Sequence, residues 1–200
     1  MATLKLNSQT VVSESSGTLT APALNITTGT HSGTILNSAT FPAGCVIQCH
    51  HILTSTRTSY SCPVGAGGTR MTELDLPITL KSSNSKIICQ WQISGEVQHN
   101  QGFEIFKDDA LATHGKNLNA SNRYSFFALV GYDQDYDSTP HTYHIQYIDP
   151  SPTSATYNVR VSSSDSGTGR SFYLNRAQGS GGQDSYENGV STGVIWEIMK

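Results

Sequence analysis

The chain has 200 residues, of which 36% are hydrophobic and only 14% are charged, and its formal net charge is −3. This mild charge, without any run of Lys and Arg, argues against a nucleic-acid-binding protein, and no stretch approaches the ~18 apolar residues of a membrane-spanning helix. Residues 1–10 also lack the apolar core of a signal peptide, so we expect a protein that stays in the cell that makes it, or leaves by lysis or assembly.

Residues 1–40 are rich in Thr and Ser and carry only small, scattered apolar side chains. Such a segment cannot bury enough apolar surface to build a core of its own. It becomes ordered when it adds to another surface, for example as strands on a neighbouring protein. We therefore expect an extended N-terminal docking arm over residues 1–40, with a flexible tail as the alternative.

Four cysteines follow, and the first two lie in the compact cluster Cys45, Cys49, His50 and His51. This cluster has the residue types of a metal site, but the second spaced pair of a zinc pattern is missing. On a strand, His50 also faces away from Cys49. We expect buried free thiols and a solvated or interfacial His pair, with no metal and no cofactor.

Alternating apolar and polar residues predict strands through most of residues 41–200. The front half is predicted to contain strands in Cys45–Tyr60, Leu74–Leu80, Lys86–Val97, Gly102–Lys107 and Tyr124–Tyr132. In the last of these, Tyr124, Phe126, Ala128 and Val130 are expected to face inward.

The back half, His141–Arg176, is predicted to be a meander of three strands joined by two turns, with a last strand near the end of the chain. No long stretch shows the period of a helix. Short strands in this number predict an all-β fold, an antiparallel jelly-roll-like sandwich over residues 41–200 preceded by the extended N-terminal arm.

One acidic cluster precedes the back half, in the sequence GYDQDYD. Aspartates at alternate positions are typical of the start of a calcium loop, but the sixth position is Ser138 and the twelfth is His144, where Gly and Glu are required. Tyrosines interleaved with carboxylates are also a common composition of sugar-binding loops. We predict a candidate binding loop here, with a calcium loop and a solvated loop tip as alternatives. Its residues are Tyr132, Asp133, Asp135, Tyr136 and Asp137.

Neither a Gly-x-Ser-x-Gly nor a His-Glu-x-x-His motif occurs in the sequence. A glycosidase needs two facing carboxylates, and Glu96, Glu104 and Asp149 are available on predicted strands, but the sequence does not place them across a cleft. We therefore expect a protein that is not an enzyme, with a carbohydrate depolymerase as one alternative.

Six segments of the sequence together resemble the virion structural proteins of tailed bacteriophages, especially of marine and cyanobacterial phages. They are PAGCVIQ (42–48), ITLKSSNSKIICQWQISGE (78–96), GFEIFKDD (102–109), YIDPSPTSATYNVRVSS (147–163), FYLNRA (172–177) and GVSTGVIWEIM (189–199). Residues 1–40 resemble the leader of those proteins. The chain departs from the pattern at Cys45, at Cys49-His50-His51 and at Cys62-Pro63, and no catalytic residue is carried over.

The resemblance implies a homotrimer located in the virion. We expect a tail-fibre-like appendage whose loops contact the host surface, with a glycan there as a candidate ligand. Residues 1–40 are expected to bind capsid or tail proteins. The alternative is a capsid decoration or cement protein that stabilises the head lattice. Apolar groups on both faces of a strand, as for Trp196 and Ile198 opposite Ile195, or Phe103 and Ile105 opposite Phe106, suit an outer face covered by a subunit. A larger single-chain core is the other explanation.

Overall fold

The computed structural model describes residues 41–65, 67–97, 100–112, 126–130, 139–163, 170–179 and 187–200 in full, and the backbone alone of residues 3–6, 9–15 and 18–20. It divides the chain into two compact units, Met1–Thr40 and Phe41–Lys200. In the first unit, β1 (Thr3–Leu6), β2 (Gln9–Ser15) and β3 (Thr18–Thr20) form an antiparallel sheet in that order. Docking of residues 1–40 to another protein stays a prediction.

The described part of the second unit is built from strands and one short 3₁₀ helix. In chain order these are β4 (Val46–Thr54), β5 (Thr58–Cys62), β6 (Thr69–Arg70), the 3₁₀ helix (Thr72–Leu74), β7 (Leu76–Ile78), β8 (Ser85–Val97), β9 (Gln101–Lys107), β10 (Ala110–Leu111), β11 (Ala128–Leu129), β12 (His141–Asp149), β13 (Ala155–Ser163), β14 (Arg170–Leu174) and β15 (Ser191–Met199).

These strands form two antiparallel sheets. One has the order β10-β9-β13-β6, with β11 also paired to β9 and β7 to β13; the other has the order β4-β15-β8-β14-β5, with β12 also paired to β8. The main strands of the second sheet therefore run β4-β15-β8-β12, opposite β7-β13-β9-β11 in the first. This interleaved order of early and late strands is that of a jelly roll, which confirms the all-β sandwich expected from the sequence.

The long strand β8 organises the second sheet because it has two different neighbours on one edge. Ser85–Gln92 pairs with β15, whereas Gly95–Val97 pairs with β14. At the change of partner, a Cβ on Gly95 would lie 2.4 Å from the carbonyl oxygen of Tyr173 and 2.7 Å from the ring of Phe172. Only glycine therefore allows β14 to approach β8 so closely.

The core lies between the two sheets and consists of the apolar side of each alternating strand. Its largest fully buried side chains include Trp91, Phe103, Tyr157, Phe172 and Ile195. The rings of Phe103 and Phe172 meet edge to face at 5.5 Å, and the indole nitrogen of Trp91 donates a hydrogen bond to a backbone carbonyl. Burying each such side chain contributes about 1.5–3 kcal/mol.

Pairing in the back half differs from the expected meander. The predicted strand positions are right, but β12 pairs with β8, β13 pairs with β9, and β14 pairs with β5 and β8. Consecutive strands thus lie in different sheets or on different neighbours. Alternation reports which side of a strand is buried, and it carries no information about which strand lies alongside.

Two further expectations need correction. Phe126 is expected to face inward, but it is Phe127 that packs against the core, where its ring meets Tyr147 edge to face. Phe126 lies over Gly102. The alternation fails here because residue 127 is a bend and the regular strand covers only two residues. Phe106 is on the outer side of β9 as expected, but it is covered by the guanidinium of Arg160, 4.0 Å from the ring centroid, and needs no other subunit to bury it.

A buried carboxylate fixes the end of β15. Glu197 accepts hydrogen bonds from the backbone nitrogens of Lys81 (2.9 Å) and Ser82 (2.9 Å), from the Ser85 hydroxyl (2.8 Å) and from the Gln48 amide. Burial alone would raise the pKa of Glu197, but these donors outweigh it and hold the pKa below its usual value of 4.5. The ionised form is therefore the one that the fold binds.

A buried asparagine fixes the other end of β15. Asn175 has a positive φ of 57°, a conformation that Asn tolerates better than most residues. Its side-chain nitrogen donates to the carbonyls of Thr54 and Thr56, both at 3.0 Å, and its oxygen accepts from the Ser191 hydroxyl at 2.6 Å. These bonds join the β4–β5 turn to the start of β15.

Candidate binding surface

The loop predicted to bind a ligand, Tyr132–Asp137, lies outside the described residues, so its geometry stays a prediction. The described chain resumes at residue 139, and β12 begins at His141. The surface that can be built from described residues is therefore the one that β12 forms with its neighbours.

This surface is the outer face of the sheet β12-β8-β15-β4, the side turned away from the core. The register aligns its side chains in rows of four, one residue from each strand. The first row is His144, Gln92, Thr192 and Leu53; the second is Gln146, Gln90, Val194 and His51; the third is Ile148, Ile88, Trp196 and Cys49. Adjacent rows are two residues apart on each strand, or about 7 Å.

The first two rows contain a groove of about 420 Å³, which we call the polar groove. Its outward side chains are Gln90, Gln92, His144, Gln146, Thr192 and Val194. The four Gln and His side chains are exposed, and Thr192 and Val194 are half-buried. The volume falls within the range of about 300–1,000 Å³ that is usual for small-ligand sites.

Polar atoms in the groove are not used by the fold. Within the described part of the chain, Gln90, Gln92, His144, Gln146 and Thr192 make no side-chain hydrogen bond. Each Gln amide presents two donors and one acceptor, and the Thr hydroxyl can do either. The groove therefore offers a dense set of neutral donors and acceptors.

The third row, which we call the apolar row, has a different character. Ile148 is 47% exposed, Ile88 and Trp196 are half-buried, and Cys49 is exposed. Val46 and Leu53 on the neighbouring β4 are 54% and 69% exposed. Val46 pairs with Ile198 next to this row, whereas Leu53 is two rows away, in the first row. The apolar row and Val46 form an apolar band across the sheet, on the side where a solvated sheet carries polar residues.

The Cys and His cluster of β4 contributes to this face only in part. Cys49 and His51 are on the outer face, whereas the ring of His50 lies 3.1 Å from the Gln48 side-chain oxygen on the other side. The expectation of buried thiols is wrong for Cys49, which is exposed because it points to the outer face of the sheet, in the row of Trp196. Among the described residues, no group of three or more His, Cys, Asp or Glu side chains could hold a metal ion.

The other two thiols are in the core. Cys62 and Cys89 are both fully buried, and burial raises the pKa of the Cys62 thiol to about 12 and that of Cys89 further. Neither thiol is therefore ionised near neutral pH, and both behave as small apolar side chains.

The three carboxylates on strands that sequence analysis left open for catalysis are buried and hydrogen-bonded to their own chain. Glu104 accepts from the backbone of Gly67 at 3.0 Å, and Glu96 accepts from the backbone of Gln178 at 2.6 Å. Asp149 accepts from Tyr157 (2.8 Å) and pairs with Lys107 (3.0 Å). For Asp149, burial raises the pKa, but these partners outweigh it and lower the pKa below its usual value.

The sequence signalled part of this surface. Gln90, Gln92 and Gln146 are visible as polar positions of alternating strands, which predicts an outward direction for each. Their convergence depends on the register of β8 with β12 and β15, strands about fifty and one hundred residues away along the chain. No local pattern in the sequence contains that register.

Fold and surface together define a jelly-roll protein with one sheet face divided between a polar groove and an apolar row. No protein-family model matches the chain, and no curated protein matches it significantly in sequence. No helix among the described residues is long and apolar enough to cross a membrane.

Proposed function

We propose that this chain is a non-enzymatic structural protein on the surface of a bacteriophage virion, where it forms a trimeric, host-binding appendage anchored by residues 1–40. The virion assignment rests on the six sequence segments that resemble phage structural proteins. The structural observation that carries the assembly is the apolar row on the outer face of β12-β8-β15-β4.

The apolar row supports a subunit contact because the core does not need it. The inner side of the same strands already fills the sandwich, with Trp91 and Ile195 almost completely buried. A further indole, Trp196, and the exposed Ile148 on the opposite side are more apolar surface than an isolated sheet usually presents to water. A second copy of the chain placed there would bury it.

The three buried carboxylates on strands accept hydrogen bonds from their own chain, which supports a role without catalysis. Glu96, Glu104 and Asp149 each hold backbone or side-chain donors that stabilise loops and strand ends. A carboxylate in such a role is oriented by the fold rather than toward a substrate.

A capsid decoration protein is the second candidate, and the position of β4 favours it. Among the described strands, β4 pairs only with β15, so its other edge has backbone groups free to pair with another protein. Exposed Val46 and Leu53 on this strand would add apolar contact to such a clamp. The two roles differ in where the protein sits on the particle.

Labelling of purified virions with an antibody raised against residues 41–200 tests the proposal. Label confined to the tail or to its fibres is the expected result. Label on the head lattice, at threefold or quasi-threefold positions, would contradict the appendage role and favour the decoration role. Absence of the chain from virions by mass spectrometry, while it is abundant in infected cells, would contradict both.

A further inference from the structure

The polar groove on the outer face combines features that together select one class of ligand. We propose that it binds a neutral oligosaccharide, held by the amides of Gln90, Gln92 and Gln146. This inference deepens the host-surface role proposed above and rests on it, because it names the chemistry that the appendage would recognise.

The first argument is hydrogen-bond type. A sugar presents many hydroxyl groups, each of which both donates and accepts, so its best partners are groups that can do both. Gln146 is directly opposite Gln90, and His144 is directly opposite Gln92, so two such pairs lie side by side across β8 and β12. Together they present donors and acceptors at about 7 Å intervals along the strands, which is of the order of one sugar ring.

The second argument is charge. Among the described residues that line the groove there is no Lys, Arg, Asp or Glu. An anionic ligand such as a phosphate or a sialic acid is usually bound through Arg or Lys, and a cationic one through carboxylates. A ligand that is polar and uncharged matches this lining, and the cost of desolvating a charge does not arise.

The third argument is that the binding groups are available. These amides make no hydrogen bond within the described part of the chain, so a ligand would not have to break an internal bond to reach them. Val194, which also lines the groove, gives the non-polar C–H face of a sugar ring a surface to contact. Because all of the groups are on paired strands, the site is largely formed before binding, which lowers the entropic cost.

The groove and the apolar row are compatible on one face. The groove occupies the first two rows, and the apolar row begins about 7 Å further along the strands. A subunit that covers Ile148 and Trp196 would therefore leave the groove open at the border of the contact, next to the segment that enters β12.

Isothermal titration calorimetry of the full chain tests this proposal. The probes are maltotriose, cellotriose and mannotriose, with sialyllactose as the charged comparison. We expect millimolar or tighter binding of at least one neutral trisaccharide. Gln90→Met and Gln146→Met keep the side-chain length and remove the amide, and each should weaken binding about fivefold, or ~1 kcal/mol. Lys86→Ala, on the same face of β8 but outside the groove, should have no effect.

Several results would overturn the proposal. These are no binding of any of the three neutral sugars, binding that both Met variants leave unchanged, or binding of sialyllactose alone.

Modification of His144 by diethylpyrocarbonate tests whether a second copy of the chain occupies the groove instead. The ring should react in the assembled protein and be protected by the bound sugar, whereas protection without sugar would make the groove a subunit interface.

Failure of this inference can be told apart from failure of the proposed function. Light scattering of the same samples gives the mass of the oligomer. A trimer that binds none of the sugars contradicts the groove alone, and a monomer that binds one contradicts the assembly alone.

Discussion

Replacing Glu197 by Gln should destabilise the protein and should do so in a pH-dependent way. The carboxylate accepts from two backbone nitrogens, one hydroxyl and one amide, and it is fully buried. An amide at this place keeps the shape but turns an N–H group toward a donor. At least one buried donor then lacks an acceptor, which costs about 1–3 kcal/mol, and the remaining bonds lose their ionic character.

We therefore expect Glu197→Gln to lower the free energy of unfolding by about 2–3 kcal/mol at neutral pH. In a chain of this length that corresponds to a fall in Tm of about 4–12 °C. Urea unfolding followed by tryptophan fluorescence measures the change. Arg57→Gln is the control, because Arg57 is exposed and its side chain makes no hydrogen bond or ion pair with the described residues, and it should change stability by less than about 0.5 kcal/mol.

The pH dependence follows from the direction of the pKa shift. Since the pKa of Glu197 is lower in the folded protein than its usual 4.5, the stabilisation is complete above that value and is lost as pH falls through the folded pKa. Protonated Glu197 donates an O–H much as glutamine donates an N–H, so the stability gap between wild type and variant should shrink as the pH falls below 4.5 and through the folded pKa. A gap that stays constant with pH, or one below about 0.5 kcal/mol at neutral pH, would refute the reasoning.

Four further experiments test other parts of the structure. Asn175→Ala removes three buried hydrogen bonds and puts Ala at a positive φ that it tolerates less well than Asn, so it should lower the free energy of unfolding in urea by about 2–4 kcal/mol. A loss no larger than that of an exposed substitution would contradict the role of this side chain. With Ellman's reagent, Cys62 should stay unmodified until the protein unfolds, since its thiol is buried with a pKa of about 12. Cys49 should react slowly in the oligomer and quickly in an Ile148→Asp variant, and equal rates in both would place Cys49 outside the subunit contact. Deleting residues 1–40 should leave a folded oligomer that no longer joins virions, and unfolding of the remainder would make that segment part of the core.

The side of each strand that faces the core could be read from the sequence. In the predicted strand Lys86–Val97 the apolar positions Ile87, Cys89, Trp91 and Ile93 alternate with polar or half-buried ones, and all four are buried, because side chains of a strand point to opposite faces in turn. The same signal failed at Phe126 and Phe127, where a bend interrupts the strand. It fails wherever the backbone is not regular.

Pairing and the candidate site could not be read in the same way. The groove needs Gln146 beside Gln90 on one side and Val194 beside Gln90 on the other, and this depends on contacts between strands that are distant in the chain. The exposure of Cys49 could not be read either, because alternation groups the residues of β4 by face but does not say which face is turned to the core. Burial of Glu197 was also hidden, since its donors come from a turn more than one hundred residues earlier.

The mass of the purified protein at micromolar concentration tests the central claim most directly. Light scattering should give three times the chain mass of 21.5 kDa for the wild type and for Leu129→Asp, whose leucine is 75% exposed on the opposite sheet. Ile148→Asp, which places a charge in the apolar row, should lower the mass toward that of one chain while circular dichroism still shows a folded β protein. A wild-type mass of 21.5 kDa, or a trimer that Ile148→Asp does not weaken, would contradict assembly through this face.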